Sequence, residues 1–519
     1  MMLLLFSSRR ISDSFADFSF AGIFARQFCP GGFAPMGLFA TKSLNRILTE
    51  SGQENQLRRS LGPAALVALG VGAVVGAGIF TLTGVVAANN AGPAIVISFV
   101  FAAIGCVFAG LCYSEFATMI PIAGSAYTYA YATMGELIAW MIGWDLVLEY
   151  CVGAATVSIG WSQTLLALLH NLGIELPPRF VASPFQPIAL PDGTLLRGAI
   201  NLPAVFVVVL ASVVLLIGIR ESAGVNALIV FLKVSVIIIF IFIGWHYISP
   251  VNHTPFIPPN TGRFGNFGWS GIISGAGVIF FAFIGFDAVS TASQEAKNPQ
   301  RDMPVGIIGS LAVCTVLFIA YAYVLTGVVN YKDLNVGAPL SVALTHIPMR
   351  WLAIAMNGAV LAGLTSVMIV MLLAQSRIFY SMARDGLLPR VFGDIHPRFR
   401  TPWRCNLILM IFVGIFAAFA PISLVGEMTS IGTLFAFVLV CGGIWIMRKT
   451  QPNAPRPFRT PFVPLVPILG IAMNLFLMSG LGWSNWARLI IWLVIGLTIY
   501  FNYGRKHSNV QSDAREEAM

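Results

Sequence analysis

The chain has 519 residues, of which 57% are hydrophobic and only 10% charged. A soluble domain carries roughly 25% charged residues, so the composition excludes a soluble globular protein and describes a chain that lives mostly in lipid. The net charge of +9 does not describe a nucleic-acid surface, because the basic residues fall in short loops between apolar runs, where they set membrane orientation. The seven cysteines are scattered. They offer neither a metal spacing nor a disulfide framework, and read as small apolar packing residues.

In chain order, residues 1–35 contain Ser, Phe and Arg but no core long enough to cross a bilayer. They are either a targeting segment or, the preferred reading, sequence upstream of a true start at Met36. Residues 36–62 then form a short amphipathic lead-in. Apolar runs of the roughly 20 residues needed to cross a bilayer follow at about 63–88, 93–118, 135–169, 199–219, 222–248, 270–293, 304–329, 351–382, 403–420, 427–447, 461–483 and 485–503. They are too long and too uniformly apolar for barrel strands. The expectation is an all-α polytopic membrane protein of about 12 transmembrane helices, numbered here as spans 1 to 12. Residues 120–134 are expected to form a short interfacial helix, and 171–198 and 249–269 polar loops. The organisation expected is a segment 1–60, a core of spans 1–10 over 61–447, spans 11 and 12 over 448–503, and a tail 504–519.

With the N-terminus in the cytoplasm, basic groups such as Arg58 and Arg59, Lys297 and Arg301, Arg398 to Arg404, and Arg448 and Lys449 lie inside. Isolated ones such as Arg179, Arg263 and Arg350 lie outside. The positive-inside rule selects this orientation. An even span count returns the C-terminus to the cytoplasm, and the expected location is a plasma (inner) membrane.

Span 1 reads GVGAVVGAGIF over Gly70 to Phe80, and span 6 reads SGAGVIFFAFIGFDAVS over Ser274 to Ser290. Glycine clusters in spans often serve close helix packing. Two clusters at matching places in two five-span halves point instead to broken helices around a transport site. Unwound backbone at membrane depth must line a cavity or meet a ligand, and a half-helix N-terminus holds an anion such as a carboxylate.

Three stretches carry a family resemblance: GVGAVVGAGIFTLTG (Gly70 to Gly84), FFAFIGFDAVSTASQEAKNPQRDMPVGI (Phe280 to Ile307) and SRIFYSMARDGLLPRVFGDIHPRFRTP (Ser376 to Pro402). The chain resembles the amino acid–polyamine–organocation transporters, most of all bacterial members of the cationic amino acid transporter family. The resemblance runs from about Leu61 to about Tyr503. It implies a leucine-transporter-type 5+5 inverted repeat with spans 11 and 12 peripheral, alternating access, and amino-acid uptake. Relatives often carry Ser or Thr between the last two glycines of span 1, where this chain has Ala77. Backbone N–H groups would therefore do more of the carboxylate binding.

The substrate positions expected are Val74, Gly76, Ala77, Gly78 and Ile79 in span 1, Glu149 and Ala154 in span 3, Phe281, Ala282 and Ile284 in span 6, and Met371 in span 8. Carbonyls of Phe281 and Ile284 are candidates for the ammonium, and the Phe281 ring for a cover over the site. Met371 would shorten the side-chain pocket and favour small or neutral amino acids, whereas Glu149 favours cationic ones. Met368 is an equal candidate for simple packing. Lys233 lies too deep in span 5 to reach the interface. By resemblance it stands in for a bound sodium ion, tying span 5 to carbonyls of span 1 and to Ser366, and coupling transport to protons. Glu149 is expected to meet the substrate amino group, a cationic side chain or Lys233. Asp145 reads as an interfacial charge, and Glu115 lies near the cytoplasmic end of span 2. Asp287 and Glu295 are assigned to the cytoplasmic gate, and Arg377, Arg384 and Asp385 to the cytoplasmic surface.

The partners implied are an amino acid, protons and the lipid bilayer. No cofactor or metal is implied, and nothing sets an oligomeric state. Six dispersed histidines and the lack of a Walker-type loop argue against an enzyme or an ATP-driven pump. An amino acid or amino acid/polyamine exchanger is the alternative, and a non-transporting amino acid sensor the remote one.

Overall fold

The computed structural model describes residues 37–42, 61–120, 126–185, 187–189, 195–218 and 223–512. The targeting and start-site readings of 1–35, and most of the lead-in, fall outside them. Among the described residues, eight helical stretches are long and apolar enough to cross a bilayer, and four shorter apolar helices accompany them. One stretch, Gly78–Met119, holds two spans, because the chain reverses at Gly92 (φ +61) and Pro93. The result is the twelve expected spans. Span 1 is Pro63–Val74 with a second half over 78–91, and span 2 is Ile95–Met119. Span 3 covers Glu136–Asn171, span 4 Leu202–Ile217, span 5 Ala223–Gly244, and span 6 begins with Gly268–Ile279. Spans 7 to 12 are Pro299–Val328, Arg350–Arg384, Trp403–Phe419, Ile422–Thr450, Leu465–Gly480 and Trp483–Ile499. The loop after span 3 carries a small hairpin, Pro187–Ala189 against Leu195–Arg197.

The packing repeats when spans 1–5 are exchanged with 6–10. Span 7 packs on span 1 as span 2 does on span 6, span 8 on span 5 as span 3 does on span 10, and span 9 on span 3 as span 4 does on span 8. Pairs 2–7, 3–8 and 4–9 map onto themselves and also pack. Five crossings per repeat are an odd number, so the second repeat enters from the opposite side. Span 11 packs on spans 2, 6 and 10. Span 12 lies against span 3, where Trp144 and Trp492 stack at 4.7 Å and each indole donates to the other's carbonyl at 2.8 and 3.2 Å.

The described residues 37–42 and 505–512 meet at one face of the bundle, called here the terminal face. Lys42 pairs with Asp385 at 2.8 Å, and Tyr127 donates to the same carboxylate at 2.7 Å. Glu136, fully buried, accepts from Tyr131 (3.0 Å), Tyr500 (2.8 Å) and Ser508. Gln511 donates to the Gly37 carbonyl at 2.9 Å. These bonds correct the expected interfacial helix. The segment Ala126–Thr133 is buried on nearly every side, because the hydroxyls of Tyr127 and Tyr131 find carboxylate partners inside the protein.

Candidate substrate and coupling site

The first half of span 1 ends where Val75 turns extended (φ −70°, ψ 97°). Helical geometry resumes at Ala77 (φ −60°, ψ −26°), leading into a wide π turn over Gly78–Leu82. Restarting a helix leaves its first N–H groups without intrahelical acceptors. Span 6 tightens to a 3₁₀ turn over Phe280–Phe283 and opens at Ile284 (φ −58°, ψ 134°). Gly285 then adopts φ +113°, a region that L side chains rarely enter. The two breaks touch. A Cβ added at Gly78 would fall 2.2 Å from the Ala282 Cα, and one at Gly285 would fall 2.9 Å from the Ala73 carbonyl oxygen. A donor-rich helix start and the carbonyl-rich end of a half-helix thus converge in the middle of the bundle, a pairing suited to the two charged ends of a zwitterion.

Val74, Ala77, Ile79, Ala154, Phe281, Ala282, Ile284 and Met371 are all buried. The Phe281 carbonyl accepts one bond, from the Ile284 N–H at 3.2 Å, and a carbonyl oxygen has a second lone pair. Met371 closes the site towards spans 3 and 10. Its Sδ lies 3.5 Å from where a Gly153 Cβ would be, beside the methyl of Thr429.

Lys233 is fully buried and its Nζ donates to the Gly72 carbonyl in the last turn before the span 1 break. Its stem packs against span 8 at Gly363, where an added Cβ would lie 3.2 Å from the lysine Cβ. Ser366 is buried one turn further along span 8. Span 5 reaches span 1 through the amine and meets span 8 through its methylenes.

Glu149 sits in a π turn, Leu148–Val152. It is 1% exposed, and neither carboxyl oxygen has a well-formed hydrogen bond. Asp287 accepts from the Tyr150 hydroxyl at 2.6 Å, so it joins spans 3 and 6 just past the break. Asp145 is 1% exposed with both oxygens unpartnered, which corrects the interfacial reading. It lies nine residues along span 3 from Glu136, roughly 13 Å along a helix axis. A buried polar group left without a partner costs about 1–3 kcal/mol.

The remaining charges are peripheral to the breaks. Glu115 is buried and held by Arg448 (2.8 and 2.9 Å), Arg456 (3.2 Å) and the Thr460 N–H (2.8 Å), so it fastens span 2 to the end of span 10 and the loop that follows. Glu295 works through its backbone. Its carbonyl accepts the Leu61 N–H at 3.0 Å, joining the entry of span 1 to the exit of span 6. Arg377 and Arg384 are exposed. Tyr150 and Gln375 belong to its surroundings and went unnoticed in the sequence. The one signal for Tyr150 was its place next to Glu149.

Two broken helices abutting inside an inverted repeat, with a buried amine on one broken end, define a polytopic membrane transporter. The chain belongs to the amino acid permease family, whose family model matches residues 61–502. It is 41% identical over 471 residues to the methylthioribose transporter of Bacillus subtilis (strain 168), covering 91% of this chain and 98% of that one. It is 42% identical over 474 residues to the branched-chain amino acid permease of the same organism, covering 91% and 99%. Against the vacuolar cationic amino acid transporter 4 of Arabidopsis thaliana it is 30% identical over 569 residues, covering 88% and 93%. The protein is a multi-pass permease and not an enzyme.

Proposed function

We propose that this permease takes up a neutral amino acid with a short apolar or branched side chain, together with protons, by alternating access. The observation that carries the proposal is the contact of the two breaks at Gly78 and Ala282, with the Lys233 amine on the Gly72 carbonyl beside it. The substrate carboxylate rests on N–H groups of Gly76, Ala77 and Gly78, and the ammonium on carbonyls of Phe281 and Ile284. The side chain points to the wall made by Met371, Gly153 and Ala154. Protonated Lys233 holds the broken end of span 1 in place, and losing its proton removes the charge that strengthens this bond and frees the half-helix to swing. Asp287, bonded to Tyr150, keeps spans 3 and 6 together while the site is closed. The basic residues of the terminal face support placing that face in the cytoplasm of a plasma (inner) membrane.

The relatives set the substrate arms of the test. Purified protein in liposomes is given labelled leucine, alanine, arginine or methylthioribose under a proton gradient, a sodium gradient or neither. Proton-driven leucine uptake is expected, with arginine at least about tenfold slower because Met371 shortens the pocket. Sodium dependence would remove the role of Lys233. A strict need for amino acid on the far side would make the protein an exchanger.

A further inference from the structure

We infer that Tyr113, Tyr129, Asp145 and Gln375 line the half of the translocation path that runs from the two breaks to the terminal face, and that this half is shut in the present conformation; the inference rests on the transport reading above. Gln375 lies one turn past Met371 on span 8, fully buried, with neither its amide nitrogen nor its oxygen hydrogen-bonded. Asp145 is in the same position on span 3, the hydroxyl of Tyr113 on span 2 also lacks a partner, and that of Tyr129 on the Ala126–Thr133 helix makes no well-formed hydrogen bond. Gly153 faces Met371 and Gly143 faces Met382, so spans 3 and 8 run antiparallel with Gln375 level with Glu149. Asp145 lies one turn nearer the terminal face, its Oδ1 3.2 Å from where a Gly432 Cβ of span 10 would be.

These groups surround an aromatic plug. The Tyr113 ring packs edge-on against Tyr129 at 6.4 Å, Phe286 at 5.9 Å and Phe437 at 5.5 Å, and Tyr129 stacks on Phe116 at 5.1 Å. Phe286 directly follows Gly285, so movement at the span 6 break moves the plug. Below it, the bonds of Asp385 and Glu136 close the terminal face. Most of the buried side-chain atoms without a partner among the described residues lie between the breaks and this seal.

Uncompensated polar groups at this depth are unfavourable, and apolar residues of the same shape would cost less. A protein with one conformation has no reason to keep them. A protein with two conformations keeps them when water and substrate reach them in the other. Gln375 is the clearest case, because it carries no charge and meets no partner here, so it adds nothing to the closed state.

The test separates stability from transport. Gln375→Met and Tyr113→Phe remove polar atoms and keep volume. In reconstituted protein, the thermal midpoint is expected to stay or rise and leucine binding to stay within about twofold, while the uptake rate falls about tenfold for Gln375→Met. Uptake within about twofold of the unaltered protein would overturn the inference. A second readout uses Gln375→Cys, with a membrane-impermeant methanethiosulfonate applied from the terminal face. Labelling that accelerates during leucine turnover is the expected result. No labelling, in vesicles that still take up leucine, overturns the path assignment. Failure of the unaltered protein to take up leucine would count against the transport reading instead.

Discussion

The break in span 1 and the break in span 6 are both built on glycine, for different physical reasons. In span 1 no residue near the break takes a left-handed conformation. Val75 turns extended as any residue can, and Gly78 is needed because backbone of span 6 lies where its side chain would be. In span 6, Gly285 is needed twice, for its φ of +113° and for its approach to the Ala73 carbonyl. The span 1 break is therefore a contact surface, and the span 6 break is a joint in the backbone. Gly76 follows neither pattern, since an added Cβ meets first the Val367 side chain, its two methyls at 3.3 and 3.4 Å.

This difference orders the effects of substitution. Gly78→Ala should be the most damaging, because Ala282 opposes it with main-chain atoms that cannot rotate away. Loss of folded protein in the membrane, or uptake reduced about a hundredfold or more, is expected from surface amount and initial rates. Gly285→Ala adds strain of about 1–3 kcal/mol to the clash with Ala73. Protein should still be made, with uptake down about tenfold or more. If Gly285→Ala proved milder than Gly76→Ala, the joint would not be where the dihedral places it. Lys233→Met comes next. It keeps the buried stem against Gly363 and removes the amine from Gly72, so transport that remains should no longer respond to an imposed proton gradient. An unchanged response would separate this lysine from coupling.

Much of this was readable in the chain because it rests on local pattern. Apolar runs gave twelve spans, basic loops gave a face, and two glycine clusters gave the paired breaks. What was hidden depended on partners far along the sequence. Nothing around Gly78 shows that Ala282 will lie against it. The tyrosines of 126–133 read as an interfacial stripe because Asp385, the acceptor for Tyr127, lies 258 positions away. Asp145 looked interfacial because a carboxylate with no partner at membrane depth is a poor prior guess. That Gly363 will lie against the Lys233 stem has no signal in either span's own pattern. The docking of residues 507–511 on Glu136 and Asp385 had no local signal, since a short polar tail normally stays in solvent.

Gly76→Ala tests the same comparison with a smaller effect. The nearest obstacle is the Val367 side chain, which can shift, so uptake should fall a few-fold, about 1 kcal/mol in transition-state terms. Val367→Ala should restore part of it by making room. A loss as severe as that of Gly78→Ala, with no rescue, would mean that the Gly76 backbone itself has to move during transport.

The smallest expected effect lies far from both breaks. His253, in the loop between spans 5 and 6, packs on Tyr323 with ring centres 4.5 Å apart. Its Nε2 lies 3.2 Å from the Tyr323 carbonyl and 3.3 Å from the Thr326 hydroxyl. Burial lowers its pKa below the usual 6.5, outweighing the opposing effect of the carbonyl bond. A histidine with a depressed folded value contributes its stability above about pH 6.5 and loses it as pH falls through the folded value, because the unfolded chain binds the proton first. The thermal midpoint should therefore fall by about 1 °C more between pH 7 and pH 5 than in His253→Gln, which keeps an amide donor for the Tyr323 carbonyl and cannot titrate. Equal slopes in the two proteins would mean that the loop does not sense acid through this ring, and a steeper fall in His253→Gln would reverse the sign of the argument. Because the loop joins spans 5 and 6, the same comparison shows whether acid on that face reaches the Lys233 span or the Gly285 joint. Uptake that changes with the midpoint would couple them, and uptake that ignores it would confine the effect to the loop.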